Sequence, residues 1–209
     1  PDPAAEQQIL SRIGEITEEG DTLGGVIEVA VLGLPIGLGS HAHWDRRLDS
    51  RLGAAVLGVQ AMKGVEIGPA FENSTLPGSQ IHDAIHLDGD NLVRHTNRAG
   101  GLEGGITNGQ PLLVRAAMKP IATTLTPQKT VNLASGKEEP TCYERSDFCP
   151  TPRAVPVLEA VVAIVVANAL IEKLGGDSLS EMQSHHKTLR HAARSELQMD
   201  NNDQIWWPE

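Results

Sequence analysis

Asn97-Arg98-Ala99-Gly100-Gly101-Leu102-Glu103-Gly104-Gly105-Ile106-Thr107-Asn108-Gly109-Gln110-Pro111 runs directly into Leu112-Leu113-Val114-Arg115-Ala116-Ala117-Met118-Lys119-Pro120-Ile121-Ala122-Thr123. Five glycines lie between Gly100 and Gly109. A run this dense has little side-chain material with which to build a core. Glycine is favoured where the backbone takes positive φ or approaches something closely. The run feeds a short apolar strand that stops at Lys119-Pro120. A backbone-lined surface beside a strand ending on a cation suits a flat or anionic ligand. The plainer reading is a glycine-rich turn cluster before an ordinary strand, and local sequence alone favours it.

Upstream, residues 69–98 carry Asn73, Ser74, Pro77, Gly78, Asp88, Gly89, Asp90 and Asn91 with little periodicity. A loop this long is expected to be functional or mobile. Leu92 and Val93 suggest a short strand ending near His95. Val65-Glu66-Ile67 reads as another short strand. Asp45–Met62 reads as a helix with the stripe Leu48, Leu52, Ala55, Val56 and Val59, capped by Asp45 and stopped at Lys63-Gly64. Gly33–Gly39 is a loop rich in Gly and Pro. Leu23–Leu32 is a strand with many β-branched residues. Glu6–Glu19 is a helix, with Ile9, Ile13 and Ile16 on one face.

Downstream, Lys129–Leu133 reads as a strand and Tyr143–Pro152 as irregular chain. Val155–Leu174 reads as a central core helix. Its longest uninterrupted apolar run, Ala160–Ala167, falls far short of the ~20 residues that span a bilayer. Gly175-Gly176 stops it. Asp177-Ser178 is then expected to cap a polar helix reaching Glu196, with His185, His186 and His191 at its surface. Residues 198–209 read as a loose tail. Periodicity supports a mixed α and β chain and no more.

The whole chain has 209 residues, enough for one large domain or two small ones. Aromatics make up only 3%, so Val, Ile, Leu and Ala must form the core. A net charge of −10 argues against nucleic acid or an anionic membrane as partner. Two cysteines, Cys142 and Cys149, make no disulfide framework, so a reducing, cytoplasmic setting is expected. The chain opens on Pro1 rather than Met, without a signal peptide, and reads as a piece of something longer.

Several groups could carry chemistry. His41-Ala42-His43 and His82-Asp83-Ala84-Ile85-His86 have local spacings that zinc could use, but their polar loops suit solvated histidine better, and no metal is expected. Cys142 and Cys149 stand too far apart for a redox pair. The glycine run contains neither a dinucleotide fingerprint nor a phosphate-loop string. Arg145-Ser146-Asp147 joins a residue that grips phosphate or carboxylate to one that can move a proton. A plain surface Arg–Asp pair is the simpler reading. Lys63 and Lys119 each flank strands near glycine. Lys119 is the better anion candidate, because Pro120 fixes the backbone behind it.

With these strings assembled, a family emerges. Gly24-Gly25-Val26-Ile27-Glu28-Val29, Gly33-Leu34-Pro35-Ile36-Gly37-Leu38-Gly39, Lys63-Gly64-Val65-Glu66-Ile67-Gly68, Asn97-Arg98-Ala99-Gly100-Gly101, Thr107-Asn108-Gly109-Gln110-Pro111 and Arg153-Ala154-Val155-Pro156 resemble chorismate synthase in order and spacing. The match runs from about Asp21 to Leu174. Arg145-Ser146-Asp147 resembles the actinobacterial branch. Family members are substantially longer, so residues 1–197 resemble a C-terminal portion. The two family histidines that act in catalysis have no counterpart here.

The resemblance implies an α+β fold, with helices sandwiched between antiparallel β-sheets, of which this chain holds about half. It implies a lyase of the shikimate pathway that makes chorismate from 5-enolpyruvylshikimate 3-phosphate with reduced FMN. It further implies NADP chemistry, a cytoplasmic setting and a homotetramer for the complete enzyme. Carried over residue by residue, the FMN contacts are Gln60, Ala61, Gly104, Lys119, Pro120, Ile121, Ala122, Thr123 and Arg145. Asp147 matches the family's functional aspartate. Two departures stand out: Ser146 where His is common, and Gly68-Pro69-Ala70-Phe71 in place of Gly-Asp-Gly-Phe. The rival expectation is a non-catalytic scaffold or oligomerisation fragment with weak or no flavin binding.

Overall fold

Asp2 and Gly20 bound the first helix, α1 (Pro3–Glu19), in the computed structural model, which describes residues 2–189 and 193–197. The Asp2 carboxylate accepts from the N–H groups of Ala4 (2.9 Å) and Ala5 (3.4 Å). Pro3 occupies the first turn, where its missing N–H removes nothing, and Gly20 closes the helix in the left-handed region. The helix therefore begins three residues before the expected Glu6. Of its isoleucine face only Ile16 is buried.

The remaining elements follow in order: β1 (Gly25–Val31), α2 (Leu48–Leu57), β2 (Met62–Ile67), the short helices α3 (Ala70–Asn73) and α4 (Gly78–Ile81), β3 (Ile85–Asp88), β4 (Asn91–Arg94), β5 (Leu102–Glu103), β6 (Ile106–Thr107), β7 (Leu112–Met118), β8 (Lys129–Asn132), β9 (Lys137–Pro140), α5 (Thr151–Leu174) and α6 (Leu179–Lys187). They form two compact units. One comprises the residues up to Val29, Arg51–Glu66 and Val114–Val165; the other comprises Ala30–Ser50, Ile67–Leu113 and the described residues from Val166 onward.

The first unit is built on the sheet β1-β7-β2. Lys119 N–H bonds to Ala61 C=O at one end of the β2–β7 pair and Gly68 N–H to Leu113 C=O at the other, so the two strands run antiparallel. Alternate residues turn inward: Ile27 and Val29 on β1, Val114 and Ala116 on β7 are buried, while Val26 and Glu28 are exposed. Arg115 pairs with Glu66 (2.7 Å) and, more loosely, with Glu28 (3.6 Å). The hairpin β8–β9 pairs Lys129 with Pro140 and Asn132 with Lys137. Its second strand, Lys-Glu-Glu-Pro, is fully exposed and has no apolar alternation to announce it.

Two helix expectations need correction. The helix expected at Asp45–Met62 spans only Leu48–Leu57. Asp45 lies in a turn before it, where Arg46 and Arg47 N–H both bond to His43 C=O. Met62 joins β2. Leu48, Leu52 and Val56 are fully buried, as the stripe predicts. The apolar helix starts at Thr151 rather than Val155. Pro152 sits in its first turn and Pro156 removes a single internal bond, so neither prevents an earlier start. Across 18 residues its mean hydropathy is 2.3, so length and composition would let it cross a membrane. The sequence reading, resting on Ala160–Ala167, undervalued this. Nor is the helix enclosed on all sides in this chain. Leu158, Val162 and Ala169 are buried, but Val157, Ile164 and Ile171 are exposed.

The second unit contains what was read as the largely irregular stretch 69–98. It holds α3, α4 and the β3–β4 hairpin, in register Ile85↔Arg94 to Asp88↔Asn91. At the hairpin tip Asp90 C=O accepts from Arg194 N–H (2.7 Å), and its carboxylate accepts from the Ser195 hydroxyl. β5 and β6 pair Leu102 with Thr107 and Glu103 with Ile106 around Gly104-Gly105. Thr107, only 1% exposed, clamps the Gly33–Gly39 loop. Its hydroxyl accepts from Leu38 N–H (2.8 Å) and donates to Pro35 C=O (2.6 Å). Capped by Ser178, α6 ends at Lys187, well before Glu196; Arg194–Glu196 form a separate single turn. His191 and the tail 198–209 lie outside the described residues.

Candidate functional site

In the first unit, three stretches far apart in sequence converge. Lys119 follows β7, and its N–H bonds to Ala61 C=O (2.9 Å). Ala61 has φ 65° and is the one non-glycine residue in the left-handed region among the described residues. That conformation costs a residue with a Cβ about 1–2 kcal/mol, so neighbouring structure must hold it. The Gln60-Ala61 corner is thereby fixed against the start of Lys119–Thr123. Ile121 C=O accepts from the Thr22 hydroxyl (2.6 Å), which anchors the middle of the segment. Thr123 is tied to Ser146: the hydroxyls lie 3.3 Å apart, and Ser146 Oγ donates to Thr123 C=O (3.2 Å). Ser146, the departure noted above, is thus the residue that joins Arg145 and Asp147 to the other candidates.

Arg145 and Asp147 do not pair as the simple surface reading expected. Asp147 instead bonds to Arg153 Nη1 (3.0 Å), one helical turn into the chain that follows. Lys119 and Arg145 are exposed and form no ion pair among the described residues. Gln60, Pro120 and Ala122 are exposed, while Ala61, Ile121 and Thr123 are half-buried. The result is an open polar surface with two cations, a hydroxyl and a carboxylate paired with Arg153.

Gly104 lies in the second unit. It heads the two-residue β5–β6 turn, with φ 61° at Gly104 and 87° at Gly105. Both central residues need positive φ, the signature of a type I′ hairpin. A Cβ on Gly104 would meet nothing within 4 Å, so its backbone stands open to an approaching group. Glu103 and Ile106, either side of the turn, line a cavity of about 600 Å³ with Leu34, Ile36, Arg94 and Asn108. Arg94 reaches Glu103 at 2.8 Å.

The histidine groups weighed as metal ligands gather no set of three or more ligating side chains among the described residues. His86 and His95 stack instead, with ring centroids 4.5 Å apart. Asp83, between His82 and His86, has a different task that sequence reasoning missed. Its carboxylate accepts from the Thr96 hydroxyl and from the N–H groups of Arg98 (2.7 Å) and Ala99 (2.8 Å). Burial pushes its pKa up, but those three bonds and the charge of Arg94 outweigh burial and hold the carboxyl below its ordinary value. The available signal was Asp in a loop of short polar residues, a common way to satisfy nearby backbone N–H groups. Arg153 and Thr107 gave no comparable local signal.

Comparison with known proteins gives the family of the chain. Residues 1–171 match the family described as chorismate synthase. The chorismate synthase of Syntrophotalea carbinolica is 54% identical over 184 residues, which is 88% of this chain and 48% of that protein. That of Mycobacterium avium is 53% identical over 191 residues, 91% of this chain and 48% of its own length. A crystal structure of chorismate synthase superposes with a TM-score of 0.73 at 44% identity, covering 88% of this chain and 48% of the other. The chain spans about half the length of the curated relatives it matches.

Proposed function

The chain belongs to the chorismate synthase family, and from that premise we propose that it supplies much of the FMN-binding surface of an enzyme that converts 5-enolpyruvylshikimate 3-phosphate to chorismate. The reaction is a 1,4-elimination in which a C6 hydrogen and the allylic phosphate leave and a second ring double bond forms. The complete enzyme is then a lyase of the shikimate pathway and a cytoplasmic homotetramer.

One observation carries this reading. Gln60-Ala61, Lys119–Thr123 and Arg145–Asp147, three stretches named from the family resemblance, are hydrogen-bonded to one another in the first unit. The donor set also suits a phosphate-bearing flavin: two exposed cations, a threonine hydroxyl and exposed backbone. When bound, reduced FMN supplies electron density to the departing allylic system, with no net redox change. Lys119 and Arg145 offset negative charge on cofactor or substrate. Thr123 orients a phosphate or a ring edge by hydrogen bonding. Asp147, paired with Arg153, holds or moves a proton.

The catalytic histidines the family uses are absent from this chain, so we propose that it does not turn over alone. Chorismate formation by the 209-residue chain with reduced FMN, above a no-protein control, would overturn that statement. Lys119→Met is the sharper test of the surface. Losing one charge-assisted contact should weaken FMN binding about 10-fold or more, with no change in melting temperature. In the complete enzyme, Asp147→Asn should lower turnover much more than it weakens FMN binding. A second reading, a non-catalytic assembly fragment with weak or no flavin binding, is favoured by the exposed Ile164 and Ile171 on α5. Unchanged flavin fluorescence on addition of the chain, together with self-association, would support it.

A further inference from the structure

Asp83 touches none of the residues assigned to FMN, yet it holds a loop whose hydrogen bonds run through Asn97, Gly101 and Asn108 to the side chain of Glu103, the residue before Gly104. We propose that Asp83 is a positioning residue: by holding the Asn97–Gly101 loop it fixes the orientation of the Gly104 turn. The consequence for cofactor binding rests on the flavin reading above.

The links are short and each is a single bond. Asp83 Oδ1 accepts from Thr96 and from Arg98 N–H, and Oδ2 accepts from Ala99 N–H (2.8 Å). That pins the centre of the loop. Asn97, one residue upstream, bonds at both ends: its Oδ1 accepts from Gly101 N–H (2.9 Å), and its Nδ2 donates to Pro111 C=O (2.8 Å). Gly101 C=O in turn accepts from Asn108 N–H (3.1 Å). The Asn108 side chain donates to Glu103 (2.8 Å), the residue before Gly104. Asn108 is only 8% exposed, and the same Glu103 oxygen also takes Arg94 at 2.8 Å.

The loop has no slack to absorb a shift. Gly100 packs backbone to backbone against Gly68, and a Cβ there would lie 2.3 Å from Gly68 N. Arg98 is held from its other side by Glu72 and by the Asn73 side chain, which donates to Arg98 C=O (2.8 Å). A carboxylate with three donors, holding a loop that cannot slide, passes its position on to the turn. Asp83 is also kept ionised by those donors, so it remains an acceptor to both N–H groups across the neutral range.

The test is amide hydrogen exchange on the 209-residue chain as wild type, Asp83→Ala and Asp83→Asn, with FMN affinity measured on the same samples by flavin fluorescence. Asp83→Ala should raise exchange about 10-fold or more at Arg98 and Ala99, and also at Gly101 and Asn108, leaving the β8–β9 amides unchanged. Asp83→Asn keeps an oxygen for Thr96 and Arg98 but faces Ala99 N–H with a donor. It should give the same pattern with smaller rises, which keeps the test available if the alanine variant folds poorly. FMN affinity should fall about 10-fold in Asp83→Ala. Faster exchange confined to Arg98 and Ala99, or spread evenly over both units, overturns the proposal. So does unchanged FMN affinity once Gly101 and Asn108 are loosened. If wild type itself leaves FMN fluorescence unchanged, the flavin reading fails, while the exchange pattern still decides whether Asp83 positions the turn.

Discussion

Replacing Thr107 by Val keeps its shape and removes only the hydroxyl. The structure sets the size of the effect. Leu38 N–H is buried and would lose its acceptor, and Pro35 C=O, which is half-buried, would lose its donor. A buried group left unsatisfied costs about 1–3 kcal/mol. Pro35 can recover part of its share from water, so the two losses together come to about 2–3 kcal/mol. The methyl that replaces the hydroxyl returns up to about 0.8 kcal/mol. The net destabilisation is about 1.5–2.5 kcal/mol, a drop of roughly 3–10 °C in a chain of this size. Thr107→Ser is the control: it keeps both bonds and loses one methyl, about 1 kcal/mol. Far-UV circular dichroism melts, with denaturant titrations to confirm the order, read both variants. Should Ser prove as damaging as Val, methyl packing rather than the hydroxyl clamp holds the Gly33–Gly39 loop, and the reasoning fails.

Two glycines in the same run should respond very differently to alanine. Gly100→Ala combines positive φ with a Cβ 2.3 Å from Gly68 N, and should cost about 3 kcal/mol or more in denaturant unfolding. Gly104→Ala meets no atom within 4 Å, so it should cost only about 1–2 kcal/mol while weakening FMN binding measurably. Ala61→Gly should leave stability unchanged or raise it by about 0.5–1 kcal/mol, because glycine accepts φ 65° without strain. Acid should destabilise the chain through Asp83 and Asp49. The Asp83 carboxyl is lowered because its hydrogen bonds outweigh burial, and that of Asp49 chiefly because of the hydrogen bonds from Arg47. Their folded pKa values lie below the unfolded ones, so the unfolded chain protonates first; the stabilisation is present above the unfolded pKa and is lost as pH falls through the folded values. Unfolding titrations below about pH 4 should therefore show a weaker pH slope in Asp49→Asn than in wild type.

The parts of the fold that depend on local periodicity were legible. Ile27 and Val29 alternate with exposed neighbours as a half-buried strand requires, and Leu48, Leu52 and Val56 line one face of α2. The errors arose where a boundary depends on a distant partner. Asp45 has the chemistry of a cap, but His43 C=O captures the next two N–H groups in a turn and delays the helix to Leu48. β9 carries no sequence signal, because an exposed strand needs only backbone pairing with β8. Within 69–98, short elements are set by tertiary bonds rather than by periodicity, and Asp83 reaches 13 to 16 residues along the chain to make them. Gly104-Gly105 was the missed opportunity. A Gly-Gly pair before Ile106-Thr107 fits a two-residue hairpin, a turn that reading the run as a turn cluster or a backbone-lined ligand surface leaves unnamed.

The candidate site shows why a string can identify residues without explaining them. Lys119 was singled out as a cation behind a strand, and that is what β7 delivers. Nothing in Gln60-Ala61 itself suggests a site. Its importance is visible only where Ala61 is held at φ 65° and bonded to Lys119 across two strands. The same holds for Ser146. In sequence it is an unusual residue between Arg145 and Asp147. In the structure it bonds that pair to Thr123, while Arg153, read only as part of a family string, pairs with Asp147 at 3.0 Å. Substituting Ser146 would therefore act on Thr123 as well as on its neighbours. Ser146 and Thr123 are thus constrained as a pair, and so are Ala61 and Lys119. The proposed flavin surface rests on those pairings more than on any single residue in it.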